Sequence, residues 1–174
     1  LLGGAHQRLD VGAVRAFVAD QLAGVDLDGR SLCLVIPDAT RACPLPLLLG
    51  AIHDAVADRV RSSVAVVALG THAPMDEAAR RALVGVDGLE AVTHEWGGDA
   101  TFAEVGPLDA ATVRRLSDGR LDEAVAVRVN RLVVESDVTV IVGPVLPHEV
   151  VGFSGGEKYL FPGLSGQELI DLTH

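Results

Sequence analysis

Three short apolar runs constrain this chain more than anything else in it. Residues 31–36 read SLCLVI, residues 63–69 read SVAVVAL and residues 138–142 read VTVIV. Runs this short and Val-rich, with no polar alternation, suit strands buried on both faces, as in a parallel sheet between helices. Each run is followed by a break and polar residues: Pro37-Asp38, Gly70-Thr71-His72 and Gly143-Pro144. Helical patterns lie between them. Asp10 is placed to cap a helix over residues 11–22, with Val14, Phe17, Val18 and Leu22 on one face. Residues 44–60 carry Leu48, Ile52, Ala55 and Val56 at helical spacing. Pro74 opens a third helix running to about Val84, with Asp76 and Glu77 in its first turn, where the helix dipole favours acids. Residues 85–123 are rich in Gly and Asp and less patterned, with a short strand at 102–105 and a helix at 110–116. An edge strand at 125–129 and a last helix at 167–172 complete the pattern. Strands alternating with helices predict an α/β fold, a Rossmann-like, mainly parallel sheet with flanking helices.

Composition narrows what such a fold can serve. The 174 residues suffice for one domain of ordinary size, and 49% apolar with 22% charged residues excludes a disordered chain. Mean hydropathy is +0.35, yet no apolar run approaches the ~20 residues of a membrane span. A net charge of −10 argues against a nucleic-acid surface but leaves room for a small anion held by a few cations. Two cysteines, Cys33 and Cys43, exclude a disulfide framework and read as a reduced, cytoplasmic setting. The chain opens at Leu1 with no leader pattern and stops at His174, directly after a helical pattern, so both ends read as cut from a longer polypeptide.

In parallel α/β sheets ligands bind beyond the carboxyl ends of the strands. Here those ends supply Asp38, Arg41, His72 and, four residues after Pro144, His148. Taken singly, Asp caps a turn and His sits in a loop; taken together, they describe a site. Further on, Ser154-Gly155-Gly156 offers backbone N–H groups that can hold a phosphate or carboxylate, with Lys158 just beyond. This is neither the P-loop nor the dinucleotide fingerprint. His94 reads as structural, and His6 and His53 as surface residues.

The segments DATRACP (38–44), GTHAP (70–74) and PHEVVGFSGGEKYLFPGLSGQELIDLTH (147–174) together closely resemble the N-terminal domain of the lactate racemase family. The resemblance implies a nickel-pincer nucleotide: a pyridinium mononucleotide with two sulfur-containing arms around nickel, joined to Lys158 through a thioamide. It implies His174 as the protein ligand of nickel, His72 and His148 as alternating acid and base, and Arg41 as the grip on a substrate carboxylate. Asp38 would orient the cofactor or a catalytic group, and Ser154, Gly155 and Gly156 would cradle the nucleotide. The residue types fit. Racemising a 2-hydroxy acid requires hydride removal from a non-acidic carbon, which a pyridinium can accept while a neutral His takes the hydroxyl proton. Imidazole suits both directions of proton transfer near neutrality, and a guanidinium grips a carboxylate with two hydrogen bonds. Ala73 and Ala42 stand where many relatives have Arg and Pro, which puts substrate identity in question.

Under this resemblance residues 1–174 form a single cofactor-binding domain whose partners are a small 2-hydroxy acid and the missing C-terminal domain, without nucleic acid or membrane. The fragment is expected to be inactive alone, and a recombinant sample to lack the cofactor. Two other readings stay open: a zinc hydrolase with His72, His148 and His174 as ligands, and a non-catalytic module holding a phosphate or nucleotide at residues 154–158.

Overall fold

The computed structural model describes residues 2–4, 6–149 and 152–173. Helix α1 (Val11–Ala23) begins where Asp10 accepts a hydrogen bond from the Ala13 N–H at 2.7 Å. Strand β1 (Ser31–Pro37), helix α2 (Leu45–Val56) and strand β2 (Ser62–Ala68) follow, then α3 (Glu77–Val84) and β3 (Glu90–Thr93). An antiparallel pair, β4 (Phe102–Leu108) and β5 (Val125–Asn130), flanks α4 (Ala110–Leu116). Then come α5 (Arg131–Glu135), β6 (Val138–Ile141), the short hairpin β7 (Leu146–His148) and β8 (Gly152–Ser154), and α6 (Gln167–Thr173).

Strands β3, β2, β1 and β6 form one parallel sheet in that order. Successive side chains of β1 point to opposite faces, and both faces are buried. Leu32, Leu34 and Ile36 join Leu45, Leu49 and Ile52 of α2 in the larger core cluster. Cys33 and Val35 face the other way, onto Val66, Tyr159 and Leu164. The second face is therefore sealed not by a long helix but by the segment around Tyr159–Leu164 and by α5. Burying a Leu or Val side chain contributes about 1.5–3 kcal/mol, so the loop that carries Lys158 is held down by the core itself.

Four local expectations need correction. The third helix starts at Glu77 with Asp76 as its cap, accepting from the Ala79 N–H at 2.7 Å; Pro74 lies outside it. Its residues are spent instead on the loop bearing His72. The helix after β1 stops at Val56 rather than Val60. Strand β6 is half-buried rather than fully buried, because it is the sheet edge and pairs only with β1. His53 is half-buried in the last turn of α2 rather than on the open surface. No helix is long and apolar enough to cross a membrane.

Candidate active site

The carboxyl ends of β1 and β2 set the first half of the site. After Pro37 the chain turns at once, the Arg41 N–H donating to the Asp38 carbonyl at 3.3 Å. Asp38 is 8% exposed, and its Oδ1 accepts from the Thr40 N–H at 3.1 Å and the Thr40 hydroxyl at 2.5 Å. The other carboxylate oxygen lies 2.7 Å from Nδ1 of His72, in the loop after β2. Burial pushes the Asp38 carboxyl upward, but the Thr40 and His72 hydrogen bonds outweigh it and hold it below its ordinary value. An ionised carboxylate only accepts, so Nδ1 of His72 carries the proton and Nε2 is left as the working nitrogen. The His72 side chain is 59% exposed, so that nitrogen is open to a ligand.

The β7–β8 hairpin and the turn after it set the second half. His148 ends β7, and its Nε2 lies 2.9 Å from Nζ of Lys158. Gly155 between them has φ +84°, and a Cβ there would run into the carbonyl oxygen of Pro144. Only glycine lets the chain pass so close, which turns Lys158 back toward the hairpin. The Ser154 hydroxyl is spent inside the hairpin, donating to the Leu146 carbonyl at 3.3 Å. The two halves are tied together by the Gly70 N–H, which donates to the Gly163 carbonyl at 2.9 Å.

One cleft of about 170 Å³ opens over both halves, lined by Asp38, Arg41, His72, Ser154, Gly155 and Lys158 among others. Six of the nine residues singled out from sequence therefore share one wall. His148 reaches the cleft through Lys158. Gly156, with φ +55°, shapes the turn without lining it. His174 lies outside the described residues. Arg41 makes no side-chain hydrogen bond or ion pair among the described residues, so its charge is available to an incoming anion.

Tyr159 was not foreseen. It is 8% exposed, lines the cleft and donates to the Pro144 carbonyl at 3.4 Å. Gly143 exists for it: a Cβ there would lie 2.7 Å from the Tyr159 hydroxyl. Burial pushes the phenol up, against the pull of the nearby Arg41 charge. The available signal was its place directly after Lys158 as the one tyrosine in the chain.

Comparison with known proteins finds relatives of this chain. A lactate racemase of Thermoanaerobacterium thermosaccharolyticum is 27% identical over 150 residues, covering 83% of this chain and 32% of that protein. The chain thus spans about a third of the curated relative's length. A crystal structure of a protein from Thermotoga maritima matches the whole chain and 42% of its own, with a TM-score of 0.87 and 25% identity. The lactate racemase apoprotein structure from T. thermosaccharolyticum matches 90% of the chain and 38% of its own, with a TM-score of 0.67. At 22% identity that likeness speaks to the fold. The lactate racemase N-terminal domain family matches residues 15–174, and the chain belongs to that family.

Proposed function

We propose that this chain is the cofactor- and substrate-binding part of a racemase or epimerase acting on a small 2-hydroxy acid, completed by a C-terminal domain. The observation that carries this reading is the pairing of Asp38 with His72 and of Lys158 with His148 around one cleft, beside an Arg41 with no internal partner.

The residues present fit the nickel-pincer nucleotide that the family resemblance implies. Lys158 offers a primary amine in the cleft wall, and Arg41 and the Gly155 backbone offer positive charge and N–H groups for an anion. The cleft, about 170 Å³, admits a small acid but is below the roughly 300–1,000 Å³ of a site that encloses a drug-sized ligand. A nucleotide would project from its mouth, which supports a second domain closing over it. Lys158 and His174 would hold the group, and when bound it would supply the hydride acceptor.

The chain's own residues do the rest. Arg41 grips the substrate carboxylate through two parallel hydrogen bonds and fixes which carbon faces inward. Nε2 of His72 takes the hydroxyl proton, and Asp38 stabilises the imidazolium that results. His148 does the same for the other enantiomer. The keto acid is planar, so either histidine can return the proton to its oxygen, and both enantiomers can form.

A three-histidine zinc site has less support: His72 Nδ1 is engaged by Asp38, His148 Nε2 by Lys158, and no group able to hold a metal occurs among the described residues. The test is chiral chromatography of D- and L-lactate and related 2-hydroxy acids with full-length protein from its native host, alongside the mass of the Lys158 peptide. Interconversion lost in His72→Ala and His148→Ala, with a nucleotide-sized adduct on Lys158, is expected. Turnover that survives both substitutions overturns the roles. Bound nucleotide without any turnover favours the non-catalytic module.

A further inference from the structure

The two candidate bases are not equally ready. Asp38 fixes the proton of His72 on Nδ1, and its ring is 59% exposed, so Nε2 is open. His148 is different. Lysine has only donors to offer, so the 2.9 Å contact with Nζ of Lys158 places a charged N–H on the Nε2 lone pair of His148. The His148 side chain is 23% exposed, so this nitrogen is capped rather than merely buried. On the far side of the ring the nearest carboxylate is Glu149, 4.0 Å from Nδ1 and itself 86% exposed. The same lysine is thus both the attachment point in the proposed function and the cap on one of its two bases.

We propose that unmodified Lys158 holds His148 off, and that covalent attachment at Nζ is what uncovers it. This deepens the proposed function and rests on it for the identity of the attached group. With an activated acyl or thioacyl donor, Nζ gains one N–C bond and keeps one N–H. Of the two protons the ammonium gives up, one goes to solvent and one leaves with the group displaced from the acyl carbon. The product nitrogen is neutral, and its one remaining N–H is fixed in the plane of the new linkage. Charge-assisted hydrogen bonds are about twice as strong as neutral ones, so the cap weakens even where contact survives. Before loading, the protein therefore presents one working base instead of two, and two-faced proton transfer waits for the lysine to be modified.

The test reads histidine reactivity, not turnover. Full-length protein made without cofactor is treated with diethyl pyrocarbonate, which acylates accessible, unprotonated imidazole nitrogen, and the His148 and His72 peptides are followed by mass spectrometry. In Lys158→Met the rate at His148 is expected to rise roughly tenfold, the effect of losing one hydrogen bond to a charged group. His72 serves as the internal control and should not change, and Lys158→Arg, which keeps a donor, should restore protection. Equal His148 rates in wild type and Lys158→Met overturn the proposal. Should the variants fail to fold, nitrogen-15 spectra of the wild-type ring decide: the Nδ1–H form of His148 is expected, and the Nε2–H form refutes the cap. An adduct on Lys158 beside an equally reactive His148 sinks this inference alone. A His148 that stays protected by a Lys158 that is never modified, in native-host protein as well, sinks the proposed function alone.

Discussion

Nδ2 of Asn130 donates to Nδ1 of His94 at 3.1 Å, in the joint between the parallel sheet and the β4–β5 pair. The direction is set because Oδ1 of Asn130 already accepts from the Leu132 N–H at 3.0 Å. His94 is fully buried, and Phe102 meets its ring edge-on with centroids 5.4 Å apart. Its Nε2 has no hydrogen-bond partner among the described residues. Burial pushes its pKa down from 6.5 to about 4, against the pull of the Ser165 backbone.

That depression makes stability depend on acid. The unfolded chain binds the proton first, so the contribution of neutral His94 is complete above pH 6.5 and is lost as pH falls toward about 4. Urea unfolding between pH 7 and pH 4 should show stability falling with a slope of up to one proton. His94→Phe should flatten that slope. An unchanged slope would mean that His94 is not the group responsible.

Asp38→Asn keeps the shape at the end of β1 but removes the charge that fixes the His72 tautomer. Under the proposed function the expected loss in the full-length protein is about 10²–10⁴ in kcat with a small effect on KM, since the carboxylate would act through His72 and not on the substrate. Steady-state kinetics with each enantiomer measure it. A change confined to KM would place Asp38 on the substrate instead.

Arg41→Lys should separate geometry from charge. A point charge cannot reproduce a two-bonded grip, so KM for a 2-hydroxy carboxylate should rise about tenfold or more while the fold is unchanged. Circular dichroism checks the fold and initial rates check KM. An unaltered KM would free Arg41 from the substrate role.

Gly155→Ala tests the turn that aims Lys158. The added Cβ meets the Pro144 carbonyl, and φ of +84° is unfavourable for alanine. The expected cost is about 1–3 kcal/mol. Thermal unfolding measures it. Gly156→Ala, where a Cβ meets nothing within 4 Å, should cost less despite its positive φ.

Arg128 ties α6 to β5. Its guanidinium bonds to both carboxylate oxygens of Glu168, at 2.5 Å and 3.3 Å, and lies 5.1 Å from the centre of the Phe102 ring. Arg128→Ala should lower Tm by about 2–4 °C and speed amide exchange in α6 selectively. Uniform exchange across the chain would rule out a local role.

The apolar runs at β1 and β2 declared themselves because each strand there is covered on both faces, so burial leaves a continuous hydrophobic record. Strand β3 (EAVT), the hairpin strands and the five-residue α5 left none, since each is too short to show a period. Asp38, Arg41 and His72 drew notice because polar residues at the ends of buried strands need a reason, and Lys158 because it follows the Ser154-Gly155-Gly156 run; the structure places all four on one cleft. Tyr159 drew no notice, since an aromatic residue in a Gly-rich loop reads the same whether it packs on Gly143 or faces water.

By itself, then, the sequence determined the α/β class, the strand ends whose residues line the cleft and the glycines that let the chain turn there. These are local matters of period, propensity and backbone freedom. Only the tertiary structure decided which nitrogen of each histidine is engaged. Asp38 and His72 stand 34 residues apart, and hydrogen-bond partners at that separation are set by strand register and loop closure. The ten-residue step from His148 to Lys158 is closed by a hairpin whose turn depends on Gly155 passing the Pro144 carbonyl. Which ring nitrogen of His72 and of His148 has a partner is thus a property of the fold, because hydrogen-bond direction depends on sub-ångström placement that no spacing along a chain encodes.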